Sequence, residues 1–168
     1  MVTQERLKEL FSYCPDTGLF LRIKGVRKAA AGVIAGTKDL NGYITISVDC
    51  RRYYAHRLAW LYTHGVFPVQ IDHKDRDRSN NALSNLRAAD NSQNGANKSK
   101  PPESRQRYKG VRMMKGSSRW SARIKHGGKE IHIGTFATEE DAMKAYNERA
   151  SLLFGEFAGL NDANDSAA

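Results

Sequence analysis

The stretch IDHKDRDRSNNALSNLRAADNSQN, positions 71 to 94, limits what this chain can fold into more than any other segment. Its larger apolar residues are only Ile71, Leu83 and Leu86. Some twenty polar residues without regular structure are unusual inside a small compact domain, where such loops are functional or disordered. The apolar anchors that do exist suggest one local order. VQID reads as a short strand, ALSNLRAA supplies a second, and Asp90 is placed to cap a helix starting at the next residue. In a strand, loop, strand, helix unit, Asp72 and His73 end the first strand and Asn94 lies one turn into the helix, facing back at them.

Two metal-loop readings of the stretch fail on spacing. A calcium loop starting at Asp75 finds Asp77 and Ser79 in place, but Asn80 where glycine is required and Leu86 where glutamate is required. Zinc is disfavoured because the five histidines (56, 64, 73, 126, 132) show neither HExxH nor CxxC company. An isolated Asp-His pair in a solvated loop is the remaining ordinary explanation. Asn80, Asn81 and Asn91 read as turn formers.

Around this stretch the chain sorts into three regions. In the first, TQERLKELFSYC reads as a short amphipathic helix capped by Thr3, with Leu7, Leu10 and Phe11 on one face. GLFLRIKG, AGVIAG and GYITISV read as strands, and the later part of YYAHRLAWLYTHG as a helix with Leu58, Leu61 and Tyr62 in a stripe. The polar stretch with its flanks is the second region. After NKSKPPESRQR, where Pro101 and Pro102 discourage regular structure, a third begins. The expected divisions are 1–97, a linker 98–107, a second domain 108–161 and a loose tail 162–168. For 168 residues that means two small domains.

The net charge of +9 is not spread evenly. Between Lys98 and Ile133 stand eleven Lys or Arg against Glu103 and Glu130, so this segment alone accounts for the whole excess. A basic region so localised suits a polyanion, most often nucleic acid, because neutralising phosphates releases condensed counterions. No apolar run approaches the roughly 18 residues of a membrane span, and the start lacks the pattern of a signal peptide. With only Cys14 and Cys50, reduced thiols and a cytoplasmic protein are expected.

HRLAW, then IDHKDRDRSNNALSNLR, then DNSQNGANK together resemble the HNH homing-type endonucleases of phages and mobile introns, over roughly positions 40 to 97. The three letters fall on His73, Asn85 and Asn94, twelve and nine residues apart, with Asp72 as the acidic residue before the histidine. The resemblance implies a ββα-metal fold and hydrolysis of phosphodiester bonds in DNA. It casts His73 as general base, Asp72 and Asn94 as metal ligands, and Asn85 as the residue that fixes the loop and orients His73.

The residue types suit that chemistry. A neutral imidazole takes a proton from water near neutral pH. A carboxylate and an amide oxygen are hard donors, suited to one Mg²⁺ or Mn²⁺ ion rather than zinc. His56 and Arg57, in the HRLAW segment, are candidates for contact with DNA, although His56 is equally a hydrogen-bonded core residue; His64 reads as a helix-end residue.

In the third region, RWSARIKH alternates Trp120, Ala122 and Ile124 with Arg119, Ser121, Arg123 and Lys125, which puts the cations on one sheet face. Val111 and Met113 oppose Arg112 and Met114, and Ile131 and Ile133 oppose Glu130 and His132. Thr138 and Asp141 form a capping pair before a helix striped with Ala142, Ala145, Tyr146, Ala150 and Leu153. YKGVR, RWSARIK, IHIGTF, EEDAMKAYNERA and GLN resemble the plant ethylene-response-factor type of DNA-binding domain, from Tyr108 to Asn161. That resemblance implies DNA contacts from Lys109, Arg112, Arg119, Arg123, Lys125 and His132. The sequence departs from the family at His132, which stands at an aromatic position, at Arg123, which stands at an acidic one, and in a first loop one residue longer.

The expectation is therefore an α+β protein: a mixed scaffold carrying a ββα-metal nuclease motif, then a three-stranded antiparallel sheet packed on one helix. Its expected partner is double-stranded DNA, with no membrane, acting as a monomer or weak dimer in the cytoplasm of an infected or host bacterial cell. The competing expectation is a non-catalytic DNA-binding regulator on a degenerate nuclease fold. An RNA binder is weaker, because the basic face lacks stacking aromatics.

Overall fold

The computed structural model describes residues 1–25, 30–98 and 106–162, and its internal contacts divide the chain into two units, Met1–Ala89 and Asp90–Ala168. Most of the expected linker and tail lie outside the described residues. The architecture is α+β, as expected. Among the described residues no helix is long and apolar enough to cross a membrane.

The first unit opens with helix α1 (Gln4–Leu10), where the Thr3 side chain accepts from the Arg6 amide. The helix stops one residue before Phe11, which the sequence had placed on its apolar face. Phe11 starts strand β1 (Phe11–Tyr13) instead, and the alternation of buried Phe11 and Tyr13 around exposed Ser12 is that of a half-buried strand. Tertiary packing overrides the helical reading here: the rings of Phe11, Tyr13 and Phe20 cluster at 4.7 to 6.2 Å.

Strands β1, β2 (Phe20–Arg22) and β3 (Ile34–Ala35) form one antiparallel sheet, and β4 (Thr37–Lys38), β5 (Ile44–Val48) and β6 (Arg51–Tyr54) form another. Asp49 and Cys50, both at positive φ, make the tight turn between β5 and β6. Helix α2 (Ala55–His64) comes next and ends on Gly65 in the left-handed region. The third element pair is the hairpin of β7 (Gln70–His73) and β8 (Leu86–Ala89). Ile71 and Leu86 hold it to a core shared with Leu7, Phe20, Ile46, Val48, Leu58 and Leu61. Each such side chain, fully buried, contributes about 1.5 to 3 kcal/mol, so the polar loop between the strands is carried by a packed base.

The second unit begins with α3 (Asn91–Asn97), capped by a reciprocal pair in which Asp90 accepts from the Gln93 amide and Gln93 from the Asp90 amide. From its sequence, the first domain was expected to run to residue 97. The contacts end that unit at Ala89, because α3 is tied to the C-terminal part of the chain: the Ala96 carbonyl accepts from Lys109 Nζ and from the Gly159 amide, and Ala96 joins the second core.

Strands β9 (Val111–Met113), β10 (Trp120–His126) and β11 (Lys129–Phe136) form the antiparallel sheet, and α4 (Glu139–Phe154) packs on it through Ala142, Met143, Tyr146 and Ala150. Gly110, at φ 74°, is required where it stands, since a Cβ there would lie 2.3 Å from the Tyr146 ring and 2.4 Å from the Arg123 carbonyl.

The simple alternation expected for β11 is interrupted. Ala122 pairs with Gly134 but Arg123 pairs with His132, which leaves Ile133 as the extra residue of a bulge. The bulge keeps Ile131 opposite Ile124 on the helix side while His132 stands opposite Arg123 on the other.

Candidate active site and nucleic-acid interface

Within the first unit the β7–β8 register puts Asp72 opposite Arg87 and His73 opposite Leu86. Asp72, His73, Asn81 and Asn85 are all buried. Burial of so many polar groups needs partners, and the loop supplies them. Asn85 accepts from the Asp75 amide at 3.0 Å and donates to Asp75 Oδ1 and the Asn80 carbonyl, both at 2.9 Å. Asp75 in turn receives the Asp77 amide and Asn80 Nδ2, and Asp77 receives the amide and hydroxyl of Ser79. Asn85 thus ties the loop together.

The orienting contact to His73 comes from a different residue. Asn81 Oδ1 stands 3.5 Å from His73 Nε2, while Asn81 Nδ2 donates to the Ser79 carbonyl at 3.0 Å. The second contact fixes which way the amide faces, so its oxygen is the atom turned to the ring. An amide oxygen only accepts, so in this contact Nε2 is the donor. Nothing in the spacing separated Asn81 from Asn80 as a turn former. The signal that marks it is tertiary, since Tyr13 Oη donates to the Asn81 carbonyl at 2.8 Å and the Leu83 amide donates to the Pro15 carbonyl.

Burial holds His73 below the usual histidine range, against the Asn81 contact and the nearby carboxylates of Asp75, Asp72 and Asp77. Asp72 is occupied by Arg87, whose Nε and Nη2 donate to its Oδ2 at 2.9 and 2.7 Å, a buried ion pair. Arg87 was not singled out in the sequence. Among the described residues no group of three or more His, Cys, Asp or Glu is gathered for a metal ion. The Asp72 carboxylate is a hard oxygen donor, and a set completed by amide oxygens and water fits Mg²⁺ or Mn²⁺ in chemistry. Asn94 is the fourth residue of α3, in the second unit.

His56 and Arg57 are placed otherwise than as surface contacts. His56 is buried, stacked on Tyr54 with ring centroids 5.4 Å apart and edge-on to His73 at 5.0 Å. Its Nδ1 has no hydrogen-bond partner among the described residues. Burial, then the neighbouring His73 and Arg57, push its pKa down to about 3, so the ring is neutral. Arg57 lies over the Phe67 ring and donates to the Pro68 carbonyl at 3.2 Å, fastening the turn before β7. His64, as expected, ends α2, stacked on Trp60 at 4.2 Å.

In the second unit the sheet face away from α4 carries Arg112, Lys125 and His132 exposed, with Arg123 half-buried among them. Arg119, also exposed, reaches toward the Thr135 carbonyl. Arg123 is paired with Glu130 at 2.8 Å, and His132 Nδ1 lies 3.4 Å from Ser121 Oγ. Lys109 departs from its expected place on this face: its ammonium donates to the Ala96 and Lys98 carbonyls, and its amide to Asn161 Oδ1. It closes the C-terminal end of α3.

Over 124 residues, 72% of its length, the chain is 36% identical to an uncharacterized HNH endonuclease of Acanthamoeba polyphaga mimivirus, of which the alignment takes in 63%. Over 56 residues it is 43% identical to an AP2-like ethylene-responsive transcription factor of Arabidopsis thaliana, covering 32% of this chain and 10% of that protein. Over 59 residues it is 42% identical to a second ethylene-responsive transcription factor of that plant, covering 34% and 32%. The chain therefore spans less than two thirds of the length of each of these relatives. Residues 53–96, from the end of β6 through α2 and the β7–β8 hairpin into α3, match the HNH endonuclease family.

Proposed function

We propose that the chain is a metal-dependent endonuclease that hydrolyses phosphodiester bonds in double-stranded DNA. His73 is its general base, and Asp72 and, by sequence spacing, Asn94 are oxygen ligands of one Mg²⁺ or Mn²⁺ ion. One observation carries the reading: a buried His73 beside Asp72 at the end of β7, with Asn81 against its ring, within a segment that matches the HNH endonuclease family. The His73 ring takes the proton of the attacking water. Asn81 keeps the accepting nitrogen unprotonated, and Asn85 keeps the loop that carries Asn81 in one shape. When bound, the ion neutralises charge gathering on the phosphoryl and leaving oxygens.

The open basic face of the β9–β10–β11 sheet holds the duplex. Arg112, Arg119 and Lys125 are its exposed contacts, with Arg123 and His132 beside them. Arginine forks read guanine edges while lysine holds phosphate. A single set of catalytic groups per chain suits nicking by a monomer or weak dimer, as a homing enzyme acting in an infected or host cell would use it.

The test is direct. Supercoiled plasmid incubated with the protein and Mg²⁺ or Mn²⁺ is expected to be nicked, and His73→Ala is expected to abolish nicking while retaining duplex binding in a mobility-shift assay. Plasmid left intact by the wild type with both metals would sink the proposal in favour of a DNA-binding regulator.

A further inference from the structure

We propose that Glu130 is a specificity-determining residue of the open sheet face: together with Arg123 it selects a G·C base pair in the major groove and disfavours bare phosphate. This rests on the reading that the face holds duplex DNA. On strands β9, β10 and β11, Glu130 is the one acidic residue. The register puts it on the open face opposite Lys125, with Arg123 and His132 as the next open-face pair along. A carboxylate amid the cations of a polyanion-binding surface repels every phosphate it meets. It is compatible with tight binding only where the DNA presents a donor for it to accept from.

Glu130 and Arg123 act as one reader. Arg123 Nη1 donates to Glu130 Oε2 at 2.8 Å, and Arg123 Nε donates to the hydroxyl of buried Ser121 at 3.4 Å, which also lies 3.4 Å from His132 Nδ1. These contacts aim the guanidinium and use two of its five N–H donors, so its Nη1–Nη2 end is left to make a fork. The Glu130 carboxyl is held below the usual carboxylate range, chiefly by the Arg123 bond and further by the charges of Arg123, Arg112 and Lys125, against desolvation. It is therefore ionised where DNA is bound. At 36% and 59% exposure the pair is screened by water and salt, so it yields when DNA offers better partners.

The major-groove edges decide which partners those are. Guanine presents two acceptors, O6 and N7, which suit an arginine fork; cytosine presents N4 as a donor, which suits a carboxylate. In a G·C pair the two edges lie side by side, so the bridged Arg123 and Glu130 meet both. Thymine and guanine turn acceptors toward the carboxylate, and adenine sets its N7 acceptor beside the amino group. Discrimination then comes as much from what Glu130 rejects as from what Arg123 binds.

The experiment reads binding, in the full chain with EDTA so that DNA stays intact. Affinity for a mixed-sequence duplex pool is measured by fluorescence anisotropy between about 50 and 200 mM salt, and duplexes bound from a randomised library are sequenced. Glu130→Gln should bind the pool about three- to tenfold tighter, with a dependence of log affinity on log salt steeper by about one phosphate contact, because Arg123 then meets phosphate. The parent should enrich cytosine at one position of its site, and Glu130→Gln should lose that preference toward adenine, whose N6 and N7 suit an amide. Unchanged pool affinity and salt dependence in Glu130→Gln overturn the proposal, as does a cytosine preference that the variant keeps. A parent that enriches no cytosine overturns it without any variant. Replacing Arg112 and Arg119 together by Ala separates the two levels: if pool affinity is unchanged, the sheet is not the face that holds DNA and this inference falls with that reading. If affinity weakens while Glu130→Gln behaves as the parent, this inference alone has failed.

Discussion

On the proposed reading His73 serves as a base only while its ring is neutral and held in one tautomer, and the two conditions have different sources. Burial secures the first and Asn81 the second. Asn81→Ala should accordingly lower kcat by about ten- to a hundredfold, the range for losing an orienting partner, with little change in duplex affinity. Asn85→Ala removes three hydrogen bonds from a buried loop and should show first as lost stability, about 2 to 3 kcal/mol in urea denaturation. His56 supplies a pH signature. Its folded pKa of about 3 lies below the roughly 6.5 of an unfolded histidine. The unfolded chain therefore takes up a proton that the folded one refuses, so stability is complete above about pH 6.5 and falls toward pH 3. Each unit of pH in that window costs up to about 1.4 kcal/mol, and His73, shifted the same way, adds to the slope. His56→Phe keeps the ring stack and should flatten the decline in melting temperature between pH 7 and pH 5.

At the scale of elements, the hairpin turn after β1 acts as a buttress for the β7–β8 loop. Gly18 has φ 71°, and a Cβ there would stand 2.2 Å from the Asn81 backbone carbon and 2.3 Å from the Ala82 nitrogen. Gly18→Ala should cost at least about 2 kcal/mol, combining left-handed strain with a backbone clash. Thermal unfolding measures the loss, and cleavage should fall further than stability alone explains, because the displaced backbone carries Asn81. None of this was visible in the sequence, where Gly18 only opens the strand-like GLFLRIKG. What could be read there was whatever local pattern decides: the Thr3, Asp90 and Thr138 caps, the strand ending on His73, the spacing of Asn85. Phe11 misled because its place is set by aromatic neighbours rather than by helical period. Arg87 stayed hidden because its meaning is a register, Asp72 against Arg87, that depends on the length of the loop between them.

For the whole molecule, the uneven charge becomes a measurable property of binding. Arg112, Arg119 and Lys125 are exposed on the open sheet face, and each replaced by Ala should reduce the dependence of log affinity on log salt by about one phosphate contact. Fluorescence anisotropy on duplex DNA between 50 and 200 mM salt, as an order-of-magnitude range, is the measurement. Lys109→Ala should behave differently. Its ammonium bonds to carbonyls at the end of α3, so the variant loses thermal stability while its salt dependence stays close to that of the parent.

The clasp between Tyr13 and Asn81 spans 68 residues of chain. Contacts so remote along the chain form only after a long loop has closed, at an entropic cost that local pairing does not meet. The β7–β8 hairpin can therefore pair before its loop is shaped, so that, on the proposed reading, an emerging or refolding chain holds His73 and Asp72 before it holds a working site. Nuclease activity should return on refolding with the slowest cooperative phase of the first unit, which leaves the partly folded chain harmless to the DNA around it.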